Sequence, residues 1–305
     1  LGYQETINFS FVEARWEQEL AGKAQPIKLL NPIASQMSVM RSSLLGSLLQ
    51  VLKFNPDRKA NRVRVFELGR VFERDASVQT GDSTVQGIRQ PLRVAGLAYG
   101  DVDGTNWTHK DRRADFYDAK GDVEALLAPL KPSFEVAEYP ALHPGRCARV
   151  LLDGKAIGYV GELHPRWRQQ NELPHAPVMF ELDLDAVLQR AVPVAQQVAR
   201  YQAVERDIAF TAPESLNYAA LEAVIRKAAR SSGLLRDLQL FDVYRPQAAK
   251  TEAGTALADV PAQKSLAVRL TLASNDSTLS DAQVESLLTS VITACERDLS
   301  VKLRA

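Results

Sequence analysis

"LQLFDVYRPQAAKTEAGTALADVPAQKSLAVRLTL", residues 238–272, decides the fold of the second half of the chain. Two extended apolar runs, 238–245 and 264–272, flank an alanine-rich stretch, 246–263, that contains Gly254 and Pro261. The pair reads as a central hairpin interrupted by an exposed excursion. Working outward, helical spacing is expected over 217–230 and 280–297, and strands over "RDIAFTA" (206–212) and "LSVKLRA" (299–305). The order is βαββαβ, the split pattern of a ferredoxin-like sandwich. Strict alternation along "LFDVYR" places Phe241, Val243 and Arg245 on one face and Leu240, Asp242 and Tyr244 on the other. Phe241 and Val243 are then expected in the core.

Upstream, "RAVPVAQQVARYQAV" (190–204) lacks periodicity and reads as a linker or crossing segment. Before it, "SSLLGSLLQVLKF" (42–54) spaces Leu44, Leu45, Leu48, Leu49 and Leu52 as one helical face, with Ser42 or Ser43 as cap and Pro56 beyond. "RVRVFELGRVFERD" (62–75) follows as a strand carrying arginines. After a polar loop, "LRVAGLAYG" (92–100) is its expected antiparallel neighbour. A helix is expected over 115–130, with Phe116, Ala119, Val123, Leu126, Leu127 and Leu130 on one face. "CARVLLDGKAIGYVGEL" (147–163) signals a hairpin turning at Asp153-Gly154, and "PVMFELDL" a further strand to Leu184 before a short helix. The fold class is α+β: a largely antiparallel sheet with helices against it, then the sandwich.

A length of 305 residues suggests two domains. Lys+Arg and Asp+Glu balance at 37 each, and from Arg200 onward at 13 each, so any RNA contact must come from local geometry and a few cations. Cys147 and Cys295 lack metal-site spacing and read as ordinary buried thiols. No apolar run reaches the ~18 residues of a membrane helix, and a cytoplasmic protein is expected. The chain begins at Leu1, as expected of a piece of something longer. Phosphate-loop, dinucleotide, zinc-protease and nucleophile-elbow motifs do not occur. His109, His143, His164 and His175 are isolated, with surface or packing roles expected. Asp183 and Asp185 alternate on one strand face; without further ligands they read as solvated charges.

"LNPIASQMSVMRSSLLGSLLQVLKFN", "VRVFELGRVFERD" and "FYDAKGDVEALL", followed by "RDIAF", "LFDVYR" and "KSLAVRLTL", closely resemble the C-terminal portion of the bacterial phenylalanyl-tRNA synthetase beta subunit. The resemblance covers nearly the whole chain. It implies a non-catalytic class II synthetase-like core over 1–190 and a ferredoxin-fold anticodon-binding domain over 191–305, whose core begins at 198. It also implies a catalytic alpha subunit that binds phenylalanine, ATP and magnesium, two such pairs forming the working heterotetramer, and no catalytic or metal site on this chain. In catalytic relatives a "GRVYR"-like run supplies an arginine to ATP; here "GRVFE" puts Glu73 in its place, and "VMFELDLDAVLQR" stands where a second ATP-binding arginine would.

From the same resemblance, Met37, Met40 and Arg41 are expected at the subunit interface. Tyr244 is expected to stack on an anticodon-loop base, and Arg206, Arg245, Lys264 and Arg269 to contact phosphates or base edges. The alternative expected for Arg206 is a pair with Asp207 or Asp242. "YQAVERD" (201–207) departs from the family's "YPAxRRD", with Gln202 and Glu205 replacing a proline and a basic residue. Two other functions stay open: a self-contained class II-like ATP-dependent ligase, and a protein-interaction module without an RNA role.

Overall fold

The computed structural model describes residues 1–55, 60–104, 107–108, 110–189, 195, 200–246 and 263–304. His109, most of the expected linker and nearly all of the 246–263 excursion lie outside these residues. The chain divides into two compact units, Leu1–Val192 and Pro193–Ala305.

In chain order the first unit runs β1 (Gln4–Glu5), β2 (Phe11–Val12), α1 (Ala14–Glu19), β3 (Val39–Met40), α2 (Leu45–Phe54), β4 (Val63–Arg70), β5 (Glu73–Arg74), β6 (Ile88–Arg89) and β7 (Leu92–Tyr99). It continues with α3 (Phe116–Leu127), β8 (Ser133–Val136), β9 (Leu142–Leu152), β10 (Lys155–Leu163), α4 (Pro165–Gln170), β11 (Val178–Asp183) and α5 (Leu184–Val187). Among the described residues seven strands form one sheet in the order β1-β4-β7-β11-β10-β9-β8, antiparallel except for the β1–β4 pair.

Both faces of this sheet are covered, which is why β7 and β11 read as nearly continuous apolar runs. Leu45, Leu48, Leu49 and Leu52 of α2 share a core with Val65, Leu97 and Met179. Ala119, Val123 and Leu127 of α3 share the other with Val94, Phe180 and Leu182. The expected hairpin turns at Asp153 (φ 50°) and Gly154 (φ 77°), the left-handed pair that matches strand twist. Both cysteines are buried thiols.

Three expectations change in this unit. The run 62–75 is not one strand: β4 ends at Arg70, the Val71 and Phe72 amides donate to Pro91 and Arg41 carbonyls, and Glu73 starts a separate ribbon with β6. α2 starts at Leu45 with Leu44, not a serine, in the cap position; the Ser43 hydroxyl accepts from the Leu45 amide while donating to Glu181, and Ser42 donates to Glu17. Asp183 ends β11 while Asp185 lies in α5, so the two do not share a strand face. Among the described residues no cluster could hold a metal ion, and no helix is long and apolar enough to cross a membrane.

The second unit runs β12 (Val204–Pro213), α6 (Tyr218–Ala229), β13 (Leu235–Tyr244), β14 (Gln263–Leu272), α7 (Asp281–Leu299) and β15 (Lys302–Leu303). Its sheet has the order β13-β14-β12-β15 with every pair antiparallel, the expected ferredoxin-like arrangement. Asn217 accepts from the Ala220 amide to start α6, and Ser280 and Gln283 form a capping box on α7. Both helices pack on one side: Leu221, Ile225, Val284, Leu287 and Val291 join Phe210, Leu266, Val268 and Leu270 in a single core. α7 runs to Leu299, and Ser300 (φ 52°) then turns the chain, which shortens the expected last strand to two residues.

Candidate nucleic-acid interface

β14 alternates Leu266, Val268, Leu270 and Leu272 toward the helices with Ser265, Ala267, Arg269 and Thr271 away from them. Pairing extends this second face across the sheet. Glu205, Asp207, Ala209 and Thr211 of β12 lie opposite Thr271, Arg269, Ala267 and Ser265, and Thr211 in turn faces Lys302. Among the described residues no helix covers this face, and its middle carries small side chains, with charge toward its ends.

β13 reaches this face through an irregularity. Leu240 pairs with Val268, but Asp242 pairs with Ala267, so Phe241 is an extra residue in the ladder. The bulge changes the faces only on its upstream side: Leu240 packs on the core, against expectation, while Asp242 and Tyr244 fall on the helix-free face as expected. Phe241, expected in the core, is 48% exposed, with the Arg269 guanidinium 5.4 Å from its ring centre. Val243 lies opposite Leu266 on the helix-facing side and is partly open at the strand's end. Tyr244 is 49% exposed and carries Arg304 at 5.2 Å over its ring.

The expected cations separate. Arg269 lies on the helix-free face, bound to Asp207 by Nε and Nη2 at 2.8 and 2.9 Å and within 3.4 Å of Glu205. This pairing holds the Asp207 carboxyl below the usual carboxylate range. Arg206 pairs in register with Leu270, which puts it on the helix-facing side, and its guanidinium donates to the Glu205 carbonyl. Its expected partner Asp207 is occupied by Arg269. Arg245 binds the Glu214 carboxylate at 2.9 and 3.0 Å and holds that carboxyl below the usual carboxylate range. Lys264 is buried, its ammonium 2.7 Å from the Glu214 carbonyl. It is a structural cation in this unit.

Sequence reasoning missed Phe241 because a bulge leaves no mark in an alternating pattern. Arg304 was legible: in "VKLRA" the polar Lys302 and Arg304 alternate with apolar neighbours.

In the first unit, Met37 ends a single helical turn and Met40 lies in β3, both half-buried. Arg41 is interior: 3% exposed, it donates to Glu67 at 2.6 Å and to the Arg70 carbonyl at 3.1 Å. The open apolar groups of its lead-in are Leu30 and Ile33. Glu73 binds Arg89 at 2.6 Å with Lys23 at 3.9 Å, which lowers its carboxyl against the opposing effect of burial. Of the described histidines, His164 accepts from the Arg166 amide at the start of α4, and His175 stacks on Tyr99 with ring centres 4.0 Å apart. His143 accepts from the Gly145 amide in its own strand. These are packing and capping roles.

Residues 199–304, which build this ferredoxin-like sheet and its two helices, match the family described as "Ferredoxin-fold anticodon binding domain". Residues 1–184, more than half of the chain, match "Phenylalanyl tRNA synthetase beta chain CLM domain". The chain belongs to the phenylalanyl-tRNA synthetase beta-chain family. It is 50% identical over 306 residues to a phenylalanine–tRNA ligase beta subunit of Ralstonia nicotianae, covering 99% of this chain and 37% of the relative. The corresponding subunit of Cupriavidus pinatubonensis is 47% identical over 305 residues, with the same coverage. That of Bordetella bronchiseptica is 47% identical over 287 residues, covering 92% of this chain and 35% of the relative. The chain thus spans a little over a third of the length of these curated relatives.

Proposed function

We propose that this chain is the non-catalytic beta-subunit portion of a phenylalanine–tRNA ligase that acts in the cytoplasm. Its second unit, 191–305, binds the anticodon loop of phenylalanine tRNA on the helix-free sheet face. Tyr244 stacks on an unpaired base, and Arg269 and Arg304 stand close enough to meet phosphate or base. The observation that carries this is the exposed Tyr244 ring on a face of small side chains, beside paired guanidinium groups. Arg245 follows Tyr244 in sequence and is held by Glu214, whereas Arg206 and Lys264 lie on the helix-facing side of the sheet, away from this surface.

The first unit, 1–190, is a class II synthetase-like core that positions a catalytic alpha subunit. In that assembly, two alpha and two beta subunits activate phenylalanine with ATP and magnesium at the alpha subunit and esterify it to the tRNA. Glu73, an anion already engaged by Arg89, supports a non-catalytic role for this core, since a carboxylate repels a phosphate. Leu30 and Ile33, with Met37 and Met40, form the surface offered to the alpha subunit, while Arg41 fixes that segment from inside.

The test is binding of a labelled phenylalanine-tRNA anticodon stem-loop at fixed salt, beside a loop with exchanged anticodon bases. Preference for the cognate loop, abolished by Tyr244→Ala in a folded chain, is expected. Equal or absent binding would leave subunit assembly as the main role.

A further inference from the structure

We infer that the helix-free face takes two consecutive unstacked bases of a single-stranded RNA loop, one on Tyr244 and one on Phe241, with Phe241 a second specificity-neutral stacking residue. The inference rests on the RNA-binding role proposed above and goes beyond it in giving the bulged ring a ligand. Three observations carry it.

The first is the bulge. A regular β13 would alternate Phe241 with its neighbours; the extra residue between Leu240 and Asp242 instead brings the ring beside Arg269, on the face that also holds Tyr244. Leaving a phenyl group 48% exposed forgoes the stabilisation its burial would contribute, and bulges commonly re-aim a side chain at a binding site.

The second is spacing. Phe241 stands at the level between Val268 and Ala267, and Tyr244 at the level of Ser265. Two to two and a half strand steps separate them, roughly 7 Å at the usual rise. That is about twice the 3.4 Å step of stacked nucleotides. Neighbouring bases would have to be pulled apart to occupy both rings, as they can be in a loop but not in a duplex.

The third is support. Each ring is accompanied by a guanidinium: Arg269, fixed by Asp207, beside Phe241, and Arg304 beside Tyr244. Ala267 and Ala209 between them leave room for flat groups. A phenyl ring has no hydrogen-bonding group, so the Phe241 position selects for a π-face and tolerates any base.

The test uses the full chain and an anticodon stem-loop carrying 2-aminopurine at each loop position in turn. Wild-type protein is expected to change the fluorescence at two adjacent positions. Tyr244→Leu should abolish the change at one and Phe241→Leu at the next, each weakening binding about tenfold. Phe241→Tyr, which keeps a ring, should retain both signals. A response at a single position, or Phe241→Leu binding with wild-type affinity while Tyr244→Leu is weakened, would overturn the second-base assignment and leave the RNA-binding role intact. Failure of the wild-type chain to bind any stem-loop would overturn both and favour a protein surface. The two-position response of wild-type protein needs no variant, so the inference stays testable if Phe241→Leu misfolds.

Discussion

Asp207 and Arg269 stand directly opposite each other across β12 and β14, joined by two bonds of 2.8 and 2.9 Å. The pair is open to solvent, where screening leaves such bridges little influence on stability. Its consequence is electrostatic: the charge of a cation on the candidate RNA face is offset by Asp207, with Glu205 at 3.4 Å from the same guanidinium. Asp207→Asn combined with Glu205→Gln would release Arg269 toward one more phosphate. Urea unfolding should be unchanged within error, while the slope of log binding constant against log salt steepens by roughly 0.7 for single-stranded RNA. An unchanged slope would mean that Arg269 serves only to hold Phe241.

The pair formed by Arg41 and Glu67 lies at the opposite extreme, with both side chains 3% exposed and Asn8 Nδ2 completing the carboxylate at 2.8 Å. Removing one charge leaves the other buried, so Arg41→Met is expected to cost about 3–5 kcal/mol. Replacing both, as Arg41→Met with Glu67→Met, should recover most of it. A Cβ on Gly69 would stand 2.3 Å from Arg41 Nη2, so Gly69→Ala should cost about 1–3 kcal/mol by overpacking. All three tryptophans, Trp16, Trp107 and Trp167, belong to the first unit, so their fluorescence during urea unfolding follows that unit alone.

Periodic signals were the legible part of this molecule. The leucines of α2 and the Asp153-Gly154 turn each act through local backbone geometry, and the βαββαβ order follows from where apolar periodicity changes. What stayed hidden depends on partners distant in sequence. Glu181 and Ser43 are 138 residues apart, and nothing near either shows that the carboxylate accepts the Ser43 hydroxyl and the Leu44 amide where α2 begins. Arg41 looks like a surface cation until Glu67 is placed beneath it. Phe241 reads as core because the pattern cannot show the extra residue that shifts the register, and Val243 because the pattern does not show that its place at the strand's end leaves it open. Lys264 and Arg206 read as RNA contacts because charge was visible and the face to which each belongs was not.

Glu17 and Glu181 give a pH prediction. Burial pushes both carboxyls above the ordinary range, while bonds from Ser42 and Ser43 pull the other way. The folded chain then holds these protons more tightly than the unfolded chain. The resulting stabilisation is complete below the unfolded pKa and is lost as pH rises through the raised folded value. Glu181→Gln is neutral throughout and can still accept from Ser43, so its stability relative to wild type should improve as pH rises. Urea midpoints from tryptophan fluorescence at about pH 5 and pH 8 check this. A variant that instead loses ground at the higher pH would show that the buried carboxylate is favoured as an ion by its donors.

Lys264 separates support from recognition. Its ammonium is buried against the Glu214 carbonyl at 2.7 Å and lies 3.9 Å from the Glu214 carboxylate, which Arg245 also binds. Lys264→Met keeps the aliphatic stem and removes one charge-assisted bond, so the second unit should lose about 1–2 kcal/mol, measured by tyrosine fluorescence or circular dichroism during urea unfolding. Because the charge faces the protein, RNA affinity of the folded variant and its salt slope should match wild type. A uniform loss of affinity with a slope shallower by roughly 0.7 would mean that the ammonium leaves Glu214 for a phosphate, and would return Lys264 to the contact surface.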